Sequence, residues 1–200
     1  MSIEIRPYRQ TEMVRLAQFI ERYRMAIPDA KLMTAEFYTY HPASEGGRMV
    51  EVAVHADGDL LGFAPLVPVP MPAAMAAPPE EPHHIWTIIV AEPGHAEGDV
   101  IRAGLLEKTL VKATAAAQAF PPERRTRLAC DIMASQQADI DFLLAHGFEH
   151  YGGMYVMARD LATPIEQLAL VQGLEPRSLR LLSASERQQY VAALSRAFPD

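Results

Sequence analysis

Hydrophobic and polar positions mark out a mixed order of strands and helices. Ile3 and Ile5 alternate with Glu4 and Arg6 and stop at Pro7. This suits a short strand, because proline has no donor for a ladder. Thr11 then precedes Met13, Val14, Leu16, Ala17, Ile20 and Tyr23, spaced close to a helical period and halted by Pro28. A shorter helix is predicted from Ala30 to Tyr40, closed by His41-Pro42 and the loop Ser44 to Gly47. Met49 to His55 and Leu60 to Leu66 flank Asp57-Gly58-Asp59 and read as a hairpin, since glycine accepts the positive φ of a tight turn.

From Pro68 to Pro82 six prolines predict an extended flap outside the central sheet, either a substrate lid or a surface insertion. His84 to Val90 is an unbroken run of β-formers, which predicts a central strand covered on both faces. Glu92 to Gly98 breaks it. Val100, Ala103, Leu106, Leu110 and Ala113, widened by Leu105 and Val111, then predict a helix from Asp99 to Phe120. Beyond Pro121-Pro122 the pattern gives a strand over Arg127 to Met133 and a helix over Ser135 to His146. Gly147 is its left-handed C-terminal residue, and one or two strands follow over Phe148 to Asp160.

Composition narrows the classes. The 200 residues are 50% hydrophobic and 22% charged, which fits one globular domain with material left over but not two complete ones. A formal charge of -7 without any Lys/Arg block excludes a surface built to neutralise nucleic acid. No run is long and apolar enough for a membrane span, and Met1 to Arg6 lacks a leader's basic and apolar regions, so the expected location is the cytoplasm. Cys130, the single cysteine, reads as a small packed strand residue. His83, His84 and His95 share no ligand spacing on one rigid element, so no metal site is expected.

Chemistry enters with the strand, loop and helix around Glu92 to Val100. A loop entering a helix N-terminus offers unpaired N–H groups and a positive dipole end to an anion such as a pyrophosphate. The element order, together with particular words of the sequence, resembles the GNAT superfamily of acetyl-CoA-dependent acyltransferases. Ile3 to Tyr8 looks like its opening strand, and Thr87-Ile88-Ile89-Val90 through Pro93-Gly94-His95 to Leu105-Leu106-Glu107 like its acetyl-CoA segment. Asp141 to Glu149 is similar to its helix-to-strand ending, and Met154 to Leu161 to its closing strand.

The resemblance implies a mixed, mostly antiparallel central sheet flanked by helices on both faces, an α/β (α+β) fold with a C-terminal strand–helix extension. It implies transfer of an acetyl group from acetyl-CoA to the amine of a small molecule. Backbone amides of Ile88, Ile89 and Val90 would meet the thioester and pantetheine arm. The loop Gly94, His95, Ala96, Gly98, Asp99 and Val100 would hold the pyrophosphate.

This sequence departs from the family pattern at two places. The loop offers His95 or Ala96 at the basic position, only Gly98 for two closely spaced glycines, and Glu97 and Asp99 where phosphates would lie. Two like charges about 4 Å apart repel by a few kcal/mol at an effective dielectric near 20. Arg102 either answers that charge from the first helical turn or is a solvated helix-face arginine. Leu143 stands where many members carry a tyrosine acid. For the base, Glu92 and His84 are the best-placed groups, with a surface carboxylate and a strand-edge histidine as the plain readings. The alternative function is a catalytically weakened domain acting as the structural or ligand-binding half of a tandem protein.

Past Leu161 a short helix over Pro164 to Val171 is followed by Leu179 to Leu194, which repeats the plan of residues 3 to 20. Expected boundaries are residues 1–161 for the GNAT-like domain, 162–178 for a linker, and 179–200 for the start of a second such domain or a packing helix. Tandem members of the superfamily, mycothiol synthase among them, join two domains this way. Partners left open are a second GNAT-like domain and a homodimer.

Overall fold

The computed structural model describes residues 3–71, 81–153 and 183–197. They belong to two units, residues 1–151 and 152–200, each described by itself. In the first unit β1 (Ile3–Pro7), β2 (Val50–His55), β3 (Leu60–Val69), β4 (His83–Thr87) and β6 (Thr126–Cys130) form one sheet in that order, with β5 (Val90–Ala91) also beside β3. All pairings are antiparallel except β4 with β6, the parallel pair.

One face of the sheet carries α1 (Met13–Ala26) and α2 (Ala35–Tyr40). Leu16, Phe19, Ile20 and Tyr23 of α1 pack there with Val50, Val52, Val54, Phe63, Ile88 and Val90. On the other face α3 (Gly98–Gln118) and α4 (Gln137–Ala145) cover Ala53, Ala64, Ile89 and Ala91 with Ile101, Leu105, Phe142 and Leu143. Gly62 lets α3 approach closely, because a Cβ there would lie 2.7 Å from the Val90 carbonyl and 2.8 Å from Ile101. The mixed, mostly antiparallel sheet with helices on both faces is therefore the observed architecture. Gly147 is left-handed as predicted, with φ 84°, and the Phe148 amide donates to the Leu143 carbonyl to close α4.

Several boundaries differ from the sequence reading. The helix expected from Ala30 begins only at Ala35, where the Thr34 hydroxyl accepts from the Phe37 amide and so fixes the start. Pro68, expected in a loop, belongs to β3 and pairs with Ile85. The Leu66 amide donates to Met49 of the β2 side, so alternation turns the Pro68 nitrogen to that side too. There β2 has already ended, and no donor is missed. The buried stripe of α3 is Gly98, Ile101, Arg102, Leu105, Leu106, Thr109 and Ala113, whereas Val100, Ala103, Leu110 and Val111 are exposed. Two polar residues on the buried side and four apolar ones outside disguised the true face. No strand forms over residues 148–153.

Most of the proline-rich flap (residues 72–80), the closing strand over 154–161, the helix over 164–171 and the strand over 179–182 lie outside the described residues. In the second unit α5 (Ala184–Ala197) is a helix as predicted, and the Ser183 hydroxyl accepts from the Glu186 amide at its start. Among the described residues no helix is long and apolar enough to cross a membrane.

A candidate active site where the parallel strands part

The predicted unbroken strand His84 to Val90 is in fact interrupted. β3 faces β4 in a constant register from Val69↔His84 to Leu66↔Thr87, and the same register resumes at Phe63↔Val90 in β5. Ile88 and Ile89 fall between, opposite Pro65 and Ala64. The physical cause is Pro65: alternation turns its nitrogen toward Ile88, and it has no hydrogen to give. The Thr87 hydroxyl takes the Pro65 carbonyl at 2.7 Å instead. Among the described residues, neither the Ile88 nor the Ile89 amide has a backbone partner. Trp86 is 40% exposed, so this strand is not covered on both faces by the described residues.

The break coincides with an opening. The β4–β6 ladder ends at Thr87↔Cys130. Beyond it one chain runs through Ile88 to Gly94 into α3, and the other through Asp131 to Ser135 into α4. Crevices past the carboxyl ends of adjacent parallel strands are the usual ligand sites of open α/β sheets. Alternation aims the Ile89 N–H into this gap, while the Val90 amide faces β3. Of the three predicted amides, Ile89 is the one directed at the opening.

A cavity of about 170 Å³ lies here, with Ala91, Pro93 and Gly94 on one side, Ser135 to Asp139 on the other, and Tyr23, Ile27 and Arg102 completing it. A buried polar network, missed in the sequence, spans it. Arg102 Nε donates to Asp139 Oδ1 at 2.8 Å, and its Nη1 to Asp99 Oδ1 at 2.9 Å. Asp139 Oδ2 accepts from the Tyr23 hydroxyl and from Gln136 Nε2. Gln136 Oε1 accepts from the Lys31 and Met133 amides. Arg102 and Asp139 are 7% and 1% exposed, so Arg102 is not the solvated helix-face residue that was one of its two readings. Burial, then the neighbouring Asp139 charge, pushes the Tyr23 hydroxyl far above the usual tyrosine range. Tyr23 therefore stays a donor at all ordinary pH.

The other predicted site residues fall as follows. His95 Nδ1 accepts from the Glu97 amide at 3.1 Å, and the Gly98 amide donates to the His95 carbonyl. His95 thus folds the loop just before α3 onto its own side chain. Gly94 is left-handed, φ 76°. Ala96, Asp99 and Val100 are exposed. Glu92 sits at the α1 edge of the opening with both carboxylate oxygens on the Arg22 guanidinium, at 2.9 and 3.2 Å. His84 stacks on Trp86 with ring centroids 5.2 Å apart. It lies eight residues before Glu92, about 25 Å of extended chain, so the two candidate bases are not brought together. Leu143 is packed in the core.

Cys130, at the end of the ladder, packs against the α3–α4 core cluster, and burial pushes its thiol up to about 12. Since only the thiolate reacts, labelling of the native protein at pH 8 is expected to run about a thousandfold slower than for a free cysteine. Rapid labelling without unfolding would show the thiol to be accessible and ionised.

Comparison of the sequence with family models and with curated proteins gives no match. Solved structures do share the fold. A GCN5-related N-acetyltransferase from Sphaerobacter thermophilus superposes with TM-score 0.55 at 15% identity, covering 74% of this chain and 43% of that protein. A GNAT-family acetyltransferase from Staphylococcus aureus Mu50 gives 0.53 at 12%, covering 76% and 87%. Arabidopsis thaliana Naa50, in complex with a bisubstrate analogue containing CoA, gives 0.51 at 12%, covering 76% and 86%. The chain has the fold of the GNAT N-acetyltransferases.

Proposed function

We propose that this domain transfers an acyl group from acyl-CoA to the amine of a small cytoplasmic molecule. The observation that carries this reading is the ladder break at Ile88 and Ile89, placed where β4 and β6 part. An amide held rigidly at such an opening polarises a thioester carbonyl and stabilises its oxyanion without side-chain chemistry. The acceptor nitrogen would bond to the acyl carbon as the carbon–sulfur bond breaks. Its proton would pass to water or to Glu92, and the thiolate would take one from solvent. Glu92 is the better placed of the two candidate bases, because it borders the opening and His84 does not. It could serve only by leaving Arg22.

A second reading, a weakened domain that binds or supports and does not catalyse, is favoured by the filled gap between α3 and α4 and by Leu143. Calorimetric titration with acetyl-CoA tests the choice. Binding below millimolar concentration together with acetyl transfer to an amine supports the first reading, binding without transfer supports the second, and no heat at millimolar ligand removes the first. If the protein binds, Glu92→Gln is expected to lower turnover with a panel of amines by about 10²-fold, and His84→Ala to leave it near the starting value. Equal losses would remove Glu92 from the base role.

A further inference from the structure

The Arg102 guanidinium carries an inference about control of this opening, which rests on the acyl-CoA reading above. Arg102 rises from the first turn of α3, and its Nη1 lies 3.2 Å from where a Cβ on Gly98 would stand. The cation therefore lies against the helix start, where an anion would be drawn by the dipole. A guanidinium is also the group best suited to hold phosphate oxygens in pairs.

Arg102 is nevertheless already engaged. Asp139 takes its Nε across the cavity from α4, and Asp99 takes Nη1 from its own helix. One positive charge faces two carboxylates, of which Asp139 lines the cavity with it, so the guanidinium is already neutralised before any ligand arrives. The two carboxylates are unequal. Asp99 has an 85% exposed side chain and is screened by water, while that of Asp139 is 1% exposed. Asp139 is also held by Tyr23 and Gln136, so it cannot turn away without leaving three partners. Its side chain crosses the space between the two helix starts that a pantetheine arm would need.

We propose that Asp139 is the gate of the acyl-CoA slot. A diphosphate at the α3 N-terminus meets Arg102 Nη1, which the exposed Asp99 holds, but the arm behind it can enter between the helix starts only by displacing Asp139 from Arg102 Nε, so the Arg102–Asp139 contact fills the slot until a ligand exchanges for it. No covalent step is involved; one anion replaces another on a single guanidinium.

The test is calorimetric titration of CoA into the full chain and its Asp139→Asn, Asp139→Ser and Asp99→Asn variants. Asn keeps the shape and an acceptor for Arg102, and Ser opens the slot while leaving a hydroxyl for the network; melting curves establish that each is folded. Removing the buried charge is expected to tighten CoA binding by about tenfold or more, as loss of one repulsion of a few kcal/mol would give. Asp99→Asn is expected to change it by no more than about threefold, since its charge is already screened. Binding by wild type with neither Asp139 variant any tighter would overturn the gate and leave the acyl-CoA reading standing. Equal gains from Asp99→Asn and Asp139→Asn would reduce the effect to general charge and also overturn it. No binding by any of the four would remove the acyl-CoA reading, and the gate with it.

Discussion

Replacing Arg102 by leucine is expected to lower the unfolding free energy of the first unit by about 3–5 kcal/mol, the usual cost of stranding one member of a buried ion pair. Asp139 would keep the Tyr23 hydroxyl and the Gln136 amide but lose its only cation among the described residues, with 1% of its surface left to water. Neutral donors stabilise a buried carboxylate only in part. The same argument sets the result for the double replacement. Arg102→Leu/Asp139→Leu removes both charges and fills the space with apolar volume, so most of the loss is expected to return. Urea denaturation of the three proteins measures this. A single variant within about 1 kcal/mol of wild type would mean that Asp139 is neutral or hydrated, and that the network contributes little to stability.

That network explains why the sequence discloses this fold more readily than the workings of its site. Alternation in Ile3 to Arg6, the Asp57-Gly58-Asp59 turn and the helical spacing before Pro28 are local signals, and the corresponding elements form where they predict. The ladder break depends on Pro65 lying opposite Ile88. Each residue is visible in the sequence, but their apposition follows from a register between strands separated by the long proline-rich stretch. The run His84 to Val90 is unbroken in composition for the same reason, because what interrupts it sits on the neighbouring strand.

The polar network had a signal that composition alone does not weigh. Asp139 shares a stripe with Phe142 and Leu143 of α4, and Arg102 shares one with Gly98, Ile101, Leu105 and Thr109 of α3. An isolated charge on each of two apolar stripes, with opposite signs, is costly unless the two meet. Pairing them locates the gap between α3 and α4, and corrects the α3 face, which apolar spacing alone runs through Val100, Ala103, Leu106, Leu110 and Ala113. Tyr23 gave no such sign, since a tyrosine on a buried helix face is ordinary packing until its hydroxyl has a partner. Glu92 was legible as a carboxylate at the end of the strand run, but Arg22, which holds it, lies 70 residues earlier.

Replacing Lys112 by methionine is expected to destabilise the first unit by about 3 kcal/mol or more, through a different buried pair. Glu51 of β2 is 3% exposed and faces α3, where the Lys112 ammonium reaches its Oε1 at 2.7 Å. Among the described residues the other oxygen, Oε2, is buried without a hydrogen-bond partner, as is the Thr109 hydroxyl one turn before Lys112. The lysine also donates to the Arg48 carbonyl at 2.5 Å, so it ties the start of β2 to the middle of α3. Methionine keeps the apolar stem and removes the charge, leaving a carboxylate with no cation in a region closed to water. Glu51→Gln in the Lys112→Met background should recover much of the loss, because an amide is far cheaper to bury than a lone carboxylate. Glu51→Gln alone should cost less than Lys112→Met alone, since it leaves only a lysine whose ammonium can turn toward solvent. A double-mutant cycle by chemical denaturation reads the coupling directly. A coupling energy near zero would show that the ammonium serves the Arg48 carbonyl and not Glu51, and that the buried carboxylate is stabilised by something other than this pair.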